Sequence, residues 1–421
     1  MTQNLSLDNL KLLKKFMKRI LFVITQSEFG GAQRFLYELT TRLNKERYEI
    51  LVASNSEKKS DFLNSLGQKG IKTKRLTFLK RNVNPFYDFL ALIQLIILIN
   101  RFKPDFLHLN SSKSGVLGSI AGFMIKSLKF SAKGGSATGG KNLKIIYRIG
   151  GWSFNDPGPL WKKKIFILAE KITAGFKNVI VVNNQSDFEQ AVKLKIKPKK
   201  ELKLIYNGID ALKTDFLPKD EARLELGISQ APLLKVTGQA DFIIGTIANF
   251  YPTKGLEYLV EAIRFLNFQF SIFNFQLVLI GDGIERPKIE ELIKKYKLGN
   301  SIILAGQIPE ARKFMKAFDI FVLPSVKEGF PWSVLDAMAA KLPVVTTDVG
   351  ALPEIIENNK NGILVEPKNP QQLAEAIRYL LENERVRQEF SLQAHQTVLF
   401  KFQIEKMVRE TEELFSDENH N

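Results

Sequence analysis

"RILFVITQSEFGGAQRFLYEL", residues Arg19 to Leu39, sets the reading of the chain. An apolar run, Ile20 to Ile24, gives way to a polar turn and then to a helical pattern that opens at Gly30-Gly31. A short buried strand followed at once by a helix is half of a βαβ unit, and repeats of that unit build a parallel sheet covered by helices. The alternation recurs through "YEILVAS", "IKTKRLTF", "PDFLHLN", "LKIIYRIG" and "NVIVVN". Within "LKLIYNGIDALKTDFLPKD" the turn dipeptide Asn207-Gly208 marks a crossing. The cycle then restarts with "DFIIGTIANF", "FQLVLIGDG", "SIILAGQ", "DIFVLPS", "LPVVTTD" and "NGILVEP", and past Pro370 the pattern is helical. The expected fold is α/β: two doubly wound, Rossmann-like domains, residues 1–206 and 207–395, facing a shared cleft. Residues 396–421 read as a C-terminal helix packing back on the first domain, with a frayed tail.

Length agrees, since 421 residues with 45% apolar content exceed one ordinary core. Without cysteine there are no disulfides, thiolate metal sites or cysteine nucleophiles. The start of the chain lacks a signal-peptide layout, and the apolar stretch Phe86 to Ile99 contains Asp88 and is shorter than a membrane span, so the expected location is cytoplasmic. Charge is uneven: residues 1–200 hold 36 Lys/Arg against 13 Asp/Glu, whereas 201–421 hold 25 against 31. A first half with a surplus of 23 positive charges attracts phosphate-bearing partners, nucleic acid or an anionic membrane surface. The opening "LSLDNLKLLKKFMKRI", with leucines along one face amid lysines, leans toward the membrane. Nucleic acid is disfavoured, because interleaved aromatics and a reading module are missing.

Ligands of open α/β sheets bind beyond the carboxyl ends of strands, so the loops there carry the candidates. "GGSATGGKN", Gly134 to Asn142, nearly matches a nucleotide-cradling loop, but it joins a helix to a strand, the inverse of the required order, and reads as a flexible basic connection. Gly30 and Gly31 open a helix whose N–H groups suit phosphate. Lys254-Gly255 stands at the mouth of another, where a lysine opposes the helix dipole unless it meets an anion. In "EGFPWSVLDAM", Gly329 and Pro331 break the preceding strand, and Ser333 is read as a helix start with Asp336 three residues on, a capping box. The N–H groups of Ser333, Val334 and Leu335 suit phosphate, and the carboxylate Glu328 suits sugar hydroxyls. His108, at a strand end, reads first as a packed residue. No metal cluster is visible.

Together these residues resemble the retaining GT-B glycosyltransferases of the glycosyltransferase family 4 type, over nearly the whole chain. "FGGAQR" is similar to the family's first glycine loop, "KPDFLHLNSSKSG" to its first-domain strand and loop, "YNGID" to its hinge and "YPTKGLEYLVEAI" to its Lys-Gly phosphate loop. "LIGDG", with Gly281, and "EGFPWSVLDAMAAKLPVVTTDVGALPEII" resemble its donor pocket. The resemblance implies transfer of a sugar from a nucleoside-diphosphate sugar with retention of configuration, without metal or cofactor. The second domain would then bind the donor, UDP-sugar first, with GDP- or ADP-sugar as alternatives. Glu328 would touch the donor sugar, the backbone of Gly329, Phe330, Pro331, Ser333, Val334 and Leu335 the diphosphate, and Asp336 the ribose. Lys254 would balance the leaving phosphate, with Gly31 opposite. Three positions depart from the family: Asp336 in place of Glu, Asn249 in place of Arg, and Gly150 in place of His. The acceptor would be a glycan or a lipid-linked, anionic molecule in cell-envelope polysaccharide assembly, at the inner face of the cell membrane. The rival readings are a sugar-nucleotide epimerase of the same architecture, which the scarcity of histidine disfavours, and a non-catalytic sugar- or nucleic-acid-binding protein.

Overall fold

The computed structural model describes residues 17–55, 61–131, 143–228, 242–269 and 274–416. The chain divides into two compact units, one running to Ile205 and resuming at Val408, the other Tyr206–Met407.

The first unit holds a parallel sheet of β1 (Lys18–Ile24), β2 (Tyr48–Ser54), β3 (Lys72–Arg75), β4 (Phe106–Leu109), β5 (Lys144–Arg148), β6 (Val179–Val182) and β7 (Glu201–Leu204). The order is β3-β2-β1-β4-β5-β6-β7. Its helices are α1 (Gly31–Arg42), α2 (Asp61–Gln68), α3 (Pro85–Phe102), α4 (Ser112–Ser131), α5 (Leu160–Ala174) and α6 (Gln185–Lys193). The seventh strand was not expected: "ELKL" is short and half charged, as an edge strand can be, and reads as linker. Central strands β1, β4 and β6 are buried on both faces, which is why their sequences run apolar rather than alternating. α3 starts where its sequence signals it, with the Asn84 side chain accepting from the N–H groups of Phe86 and Tyr87 and Pro85 in the first turn.

The second unit holds β8 (Phe242–Ile247), β9 (Phe275–Ile280), β10 (Ile302–Gly306), β11 (Ile320–Leu323), β12 (Val344–Thr347) and β13 (Ile363–Val365), all parallel, in the order β10-β9-β8-β11-β12-β13. Its helices are α7 (Lys219–Glu225), α8 (Leu256–Gln269), α9 (Arg286–Lys295), α10 (Trp332–Ala339), α11 (Leu352–Ile355), α12 (Pro370–Glu382) and α13 (Glu384–Lys401); α14 (Ile404–Glu412) carries the change of unit at Met407. The division drawn from sequence at 395/396 falls inside α13, whose buried Phe390, Ala394 and Val398 belong to the second unit's core. Within the second unit a Cβ on Gly208 would stand 2.2 Å from the Gln403 carbonyl oxygen, so these two segments lie backbone to backbone. The stretch "GGSATGGKN", the opening basic segment up to residue 16 and residues 229–241 lie outside the described residues, while Lys18–Ile20 of that segment begin β1.

Candidate functional site

Both sheets run 3-2-1-4-5-6 through their first six strands, so each has a switch point between its first and fourth strands, where connections depart in opposite directions and ligands of such sheets bind. In the second unit these strands are β8 and β11.

Beyond β8 the chain enters a one-turn 3₁₀ helix, Pro252–Lys254, closed by Gly255 at φ 61°. A Cβ on Gly255 would stand 2.3 Å from the Pro324 carbonyl oxygen of the loop beyond β11. The Val326 N–H donates to the Thr253 carbonyl at 2.9 Å, so the two loops are joined along their backbones. Across that seam Lys254 Nζ meets Glu328 Oε1 at 2.6 Å, with the side chains 22% and 7% exposed. The electrostatic cost expected of a lysine before α8 is therefore offset by a carboxylate.

Ser325, which the sequence reading passed over, donates its hydroxyl to the same Oε1 at 2.5 Å, and the Thr347 hydroxyl at the end of β12 donates to the Ser325 carbonyl at 2.5 Å. Both donors to Glu328 take Oε1, which among the described residues leaves Oε2 for a ligand hydroxyl. The glutamate's backbone is fixed too. Gly350, at φ 57°, lies so close that a Cβ would sit 1.9 Å from the Glu328 carbonyl oxygen, and the Ala351 N–H donates to the Gly329 carbonyl at 3.1 Å. Spacing was the available signal: a hydroxyl three residues before the carboxylate, in "SVKE".

α10 begins at Trp332 with Pro331 as its N-cap and no side-chain capping bond. The capping box expected of Ser333 and Asp336 is thus not formed. The Phe330 carbonyl accepts from Asn207 Nδ2 at 3.0 Å and Gly329 is tied to Ala351, which turns the chain into the helix two residues early, at Pro331 instead of Ser333. The N–H groups of Ser333 and Val334 precede the helix's own hydrogen-bond ladder, whereas that of Leu335 falls within it. Asp336 is 2% exposed, so a hydroxyl that reaches it is bound away from bulk water. The Phe330 ring packs against Tyr206 and Phe402, with centroids 5.5 and 5.3 Å away. Tyr206 donates to Glu354 Oε2 at 2.8 Å, and burial with that carboxylate holds its phenol well above the usual range.

Gly281, at φ 139°, brings the loop beyond β9 against the loop beyond β8, since a Cβ would lie 1.9 Å from the Ala248 carbonyl oxygen. Asn249, on the loop beyond β8, is half-buried, its carbonyl accepting from the Tyr251 N–H. Lys254, Glu328, the α10 N-terminus, Asn249 and Gly281 therefore belong to adjoining loops of one unit. Gly30 and Gly31 belong to the other, where Gly30 is the N-cap of α1.

The first unit's switch point lies between β1 and β4. Thr25 and Ser111 hydroxyls meet there at 2.6 Å, and Ser111 and Ser114 at 2.7 Å. His108 is fully buried among Phe22, Phe35 and Phe415, with no hydrogen-bond partner on either ring nitrogen among the described residues. Burial, aided by the nearby Arg148 charge, pulls its pKa down to about 3, so it is a neutral packed ring. Arg148 stacks its guanidinium 3.7 Å from the Phe35 ring centre, and burial lowers it to about 9. Gly150 is exposed, and a Cβ there would meet only Arg148 Nη1, at 3.9 Å. Among the described residues no three His, Asp or Glu side chains gather as a metal site.

A family model described as "Glycosyl transferases group 1" matches residues 235–397, and one described as "Glycosyltransferase Family 4" matches residues 29–211. The UDP-Gal:alpha-D-GlcNAc-diphosphoundecaprenol alpha-1,3-galactosyltransferase of Escherichia coli is 25% identical over 398 residues, covering 92% of this chain and 94% of its own. The N-acetyl-alpha-D-glucosaminyl L-malate synthase of Bacillus anthracis is 28% identical over 53% of this chain and 55% of its own. Among solved structures, HepE of Anabaena in complex with UDP and glucose superposes with a TM-score of 0.77 at 20% identity, over 96% of this chain and all of that one.

Proposed function

This chain belongs to the GT-B glycosyltransferases, matched by the group 1 and family 4 models, and from that premise we propose that it transfers a sugar from a UDP-sugar with retention of configuration and without a metal. The observation that carries the proposal is the Lys254–Glu328 pair at the second unit's switch point, on loops that adjoin the start of α10. Lys254 has three N–H donors, so it can keep Glu328 while reaching a phosphate oxygen. With the Ser333 and Val334 amides it stabilises charge that develops on the departing diphosphate. The free Oε2 of Glu328 takes a donor-sugar hydroxyl, and Asp336 takes the ribose hydroxyls. UDP is favoured as the nucleotide because the similar Escherichia coli enzyme is a UDP-Gal galactosyltransferase and the similar Anabaena structure is a complex with UDP and glucose.

The acceptor in this reading is a glycan or lipid-linked sugar in envelope polysaccharide assembly. It is drawn to the basic first unit, at the inner face of the cell membrane.

Thermal melting with UDP-, GDP- and ADP-sugars tests the donor. At a hundredfold excess over Kd, a true donor adds about 3 kcal/mol and roughly 5–10 °C to the midpoint. A melting curve unmoved by every UDP-sugar sinks the proposal. Retention is read from the anomeric proton coupling of the product.

A further inference from the structure

We propose that the face of the first unit built by α3, α4 and α5 docks on an anionic lipid bilayer. Right-handed crossovers place the connections from β3 to β4, β4 to β5 and β5 to β6 on the same side of the sheet, and α4 packs against both α3 and α5. On α3, Phe86, Phe89, Ile93 and Ile97 form one stripe, with exposures from 39% (Ile93) to 67% (Phe86). On α5, Trp161, Ile165, Leu168 and Ile172 form a second, from 54% (Ile165) to 65% (Trp161). Neighbouring exposed apolar stripes of this kind mark interaction surfaces.

Charge decides the partner. α3, α4 and α5 contain two acids, Asp88 and Glu170. Asp88 is paired with Lys113 at 2.7 Å, and Glu170 is buried, holding Lys177 Nζ at 2.8 Å and the Tyr147 hydroxyl at 2.8 Å. Lys162, Lys164 and Lys171 stand exposed beside the α5 stripe, and Arg101 and Lys103 at the end of α3. A second copy of this face would bring like charges together, and nucleic acid has no use for isoleucine and leucine stripes. Apolar side chains bordered by lysines fit the boundary between acyl chains and anionic headgroups. α3 is 18 residues long and apolar enough to cross a membrane by length and composition, but it buries Ala91, Leu95 and Ile99 in the first unit's core and therefore lies along the surface.

Flotation with vesicles of phosphatidylcholine, alone or mixed with phosphatidylglycerol, tests the surface on the full chain. The expected result is at least roughly tenfold more protein floating with the anionic vesicles, with Trp161 fluorescence shifting to shorter wavelength. Phe89→Ser/Ile93→Ser/Trp161→Ser/Ile165→Ser should lose that binding by roughly tenfold or more, and Lys162→Gln/Lys164→Gln/Lys171→Gln should lose its dependence on lipid charge. Three results overturn the proposal: wild-type protein that ignores anionic vesicles, a serine variant that floats as wild type does, or a wild-type dimer that the serine variant makes monomeric without changing flotation. Melting of each variant with UDP reports folding and donor binding separately, so failure of the donor reading leaves the vesicle result interpretable. The wild-type tryptophan shift needs no variant.

Discussion

The two units share a strand order and differ where that order reverses. At the second unit's switch point, loops are pressed together by Gly255, Gly281 and Gly350, and the space between them holds an ion pair, Lys254 with Glu328. At the first unit's, neutral hydroxyls close on one another, Thr25 with Ser111 and Ser114, and the buried polar side chain beneath them, His108, has lost its charge. The same backbone frame thus carries an ion pair in one case and, in the other, bonded hydroxyls beside an uncharged imidazole. Topology says where to look, and side-chain chemistry says what is there.

The largest effect should come from breaking the charged side. In the proposed site Glu328→Ala would remove the acceptor for the sugar hydroxyl and Lys254→Ala the cation for the phosphate; each should lower turnover of the UDP-sugar by about 10²–10³-fold. Steady-state hydrolysis or transfer assays read it. Turnover within twofold of wild type in both variants would remove the site from the second unit's switch point.

Acid exposes the neutral side. His108 is held at about pH 3 in the folded chain against an ordinary 6.5, so the unfolded chain binds a proton that the folded chain refuses. Its contribution to stability is complete above pH 6.5 and falls by about 1.4 kcal/mol per pH unit between 6.5 and 3. By pH 5 the loss is about 2 kcal/mol. His108→Leu should flatten that decline in denaturant titrations at pH 7 and pH 5; an equal decline in wild type and variant would show that other groups dominate.

Smaller again is Ser325→Ala. It deletes the 2.5 Å bond to Glu328 Oε1 and leaves the Lys254 bond in place. Expected is a loss of about tenfold in kcat with UDP affinity retained, since in the proposed site the serine would orient the carboxylate without reaching the nucleotide. A Kd for UDP that worsens as much as kcat would instead place Ser325 against the ligand.

Much of this comparison was legible in the chain. Each of the second sheet's six strands coincides with an apolar run named from sequence; the interior four are apolar because they are covered on both faces, and the edge strands β10 and β13 are apolar as well. β7 was missed because its four residues, "ELKL", are half charged and partly exposed, which an edge strand tolerates. Glu328 and Lys254 were legible as loop residues after strands, but their contact was not, since they are 74 positions apart and meet through backbone joints at Gly255 and Val326. The start of α10 was misread for a related reason: Ser333 is a good cap in isolation, but Asn207 and Ala351, both distant in sequence, fix the preceding turn. α3 is apolar on most sides, so its sequence could not reveal that the Phe86–Ile97 stripe faces outward.

The smallest effect tests whether the first unit's switch region can be made more like the second's. By the resemblance drawn from sequence, Gly150 stands where the family commonly has a histidine. It has ordinary backbone angles for a side chain, and a Cβ there would meet only the Arg148 guanidinium, at 3.9 Å. Gly150→His should therefore fold with a midpoint within about 2 °C of wild type, because nothing must move to admit it. The new imidazole stands at an exposed position beside a cation that burial already disfavours, so it should titrate below 6.5 and remain neutral at pH 7. Turnover at pH 7 should be unchanged or slightly raised, and a histidine resonance followed by NMR should give the lowered pKa. A large loss of stability would mean that the glycine is required by the backbone, and a large gain in turnover would mean that the first unit supplies catalytic chemistry that this chain has given up.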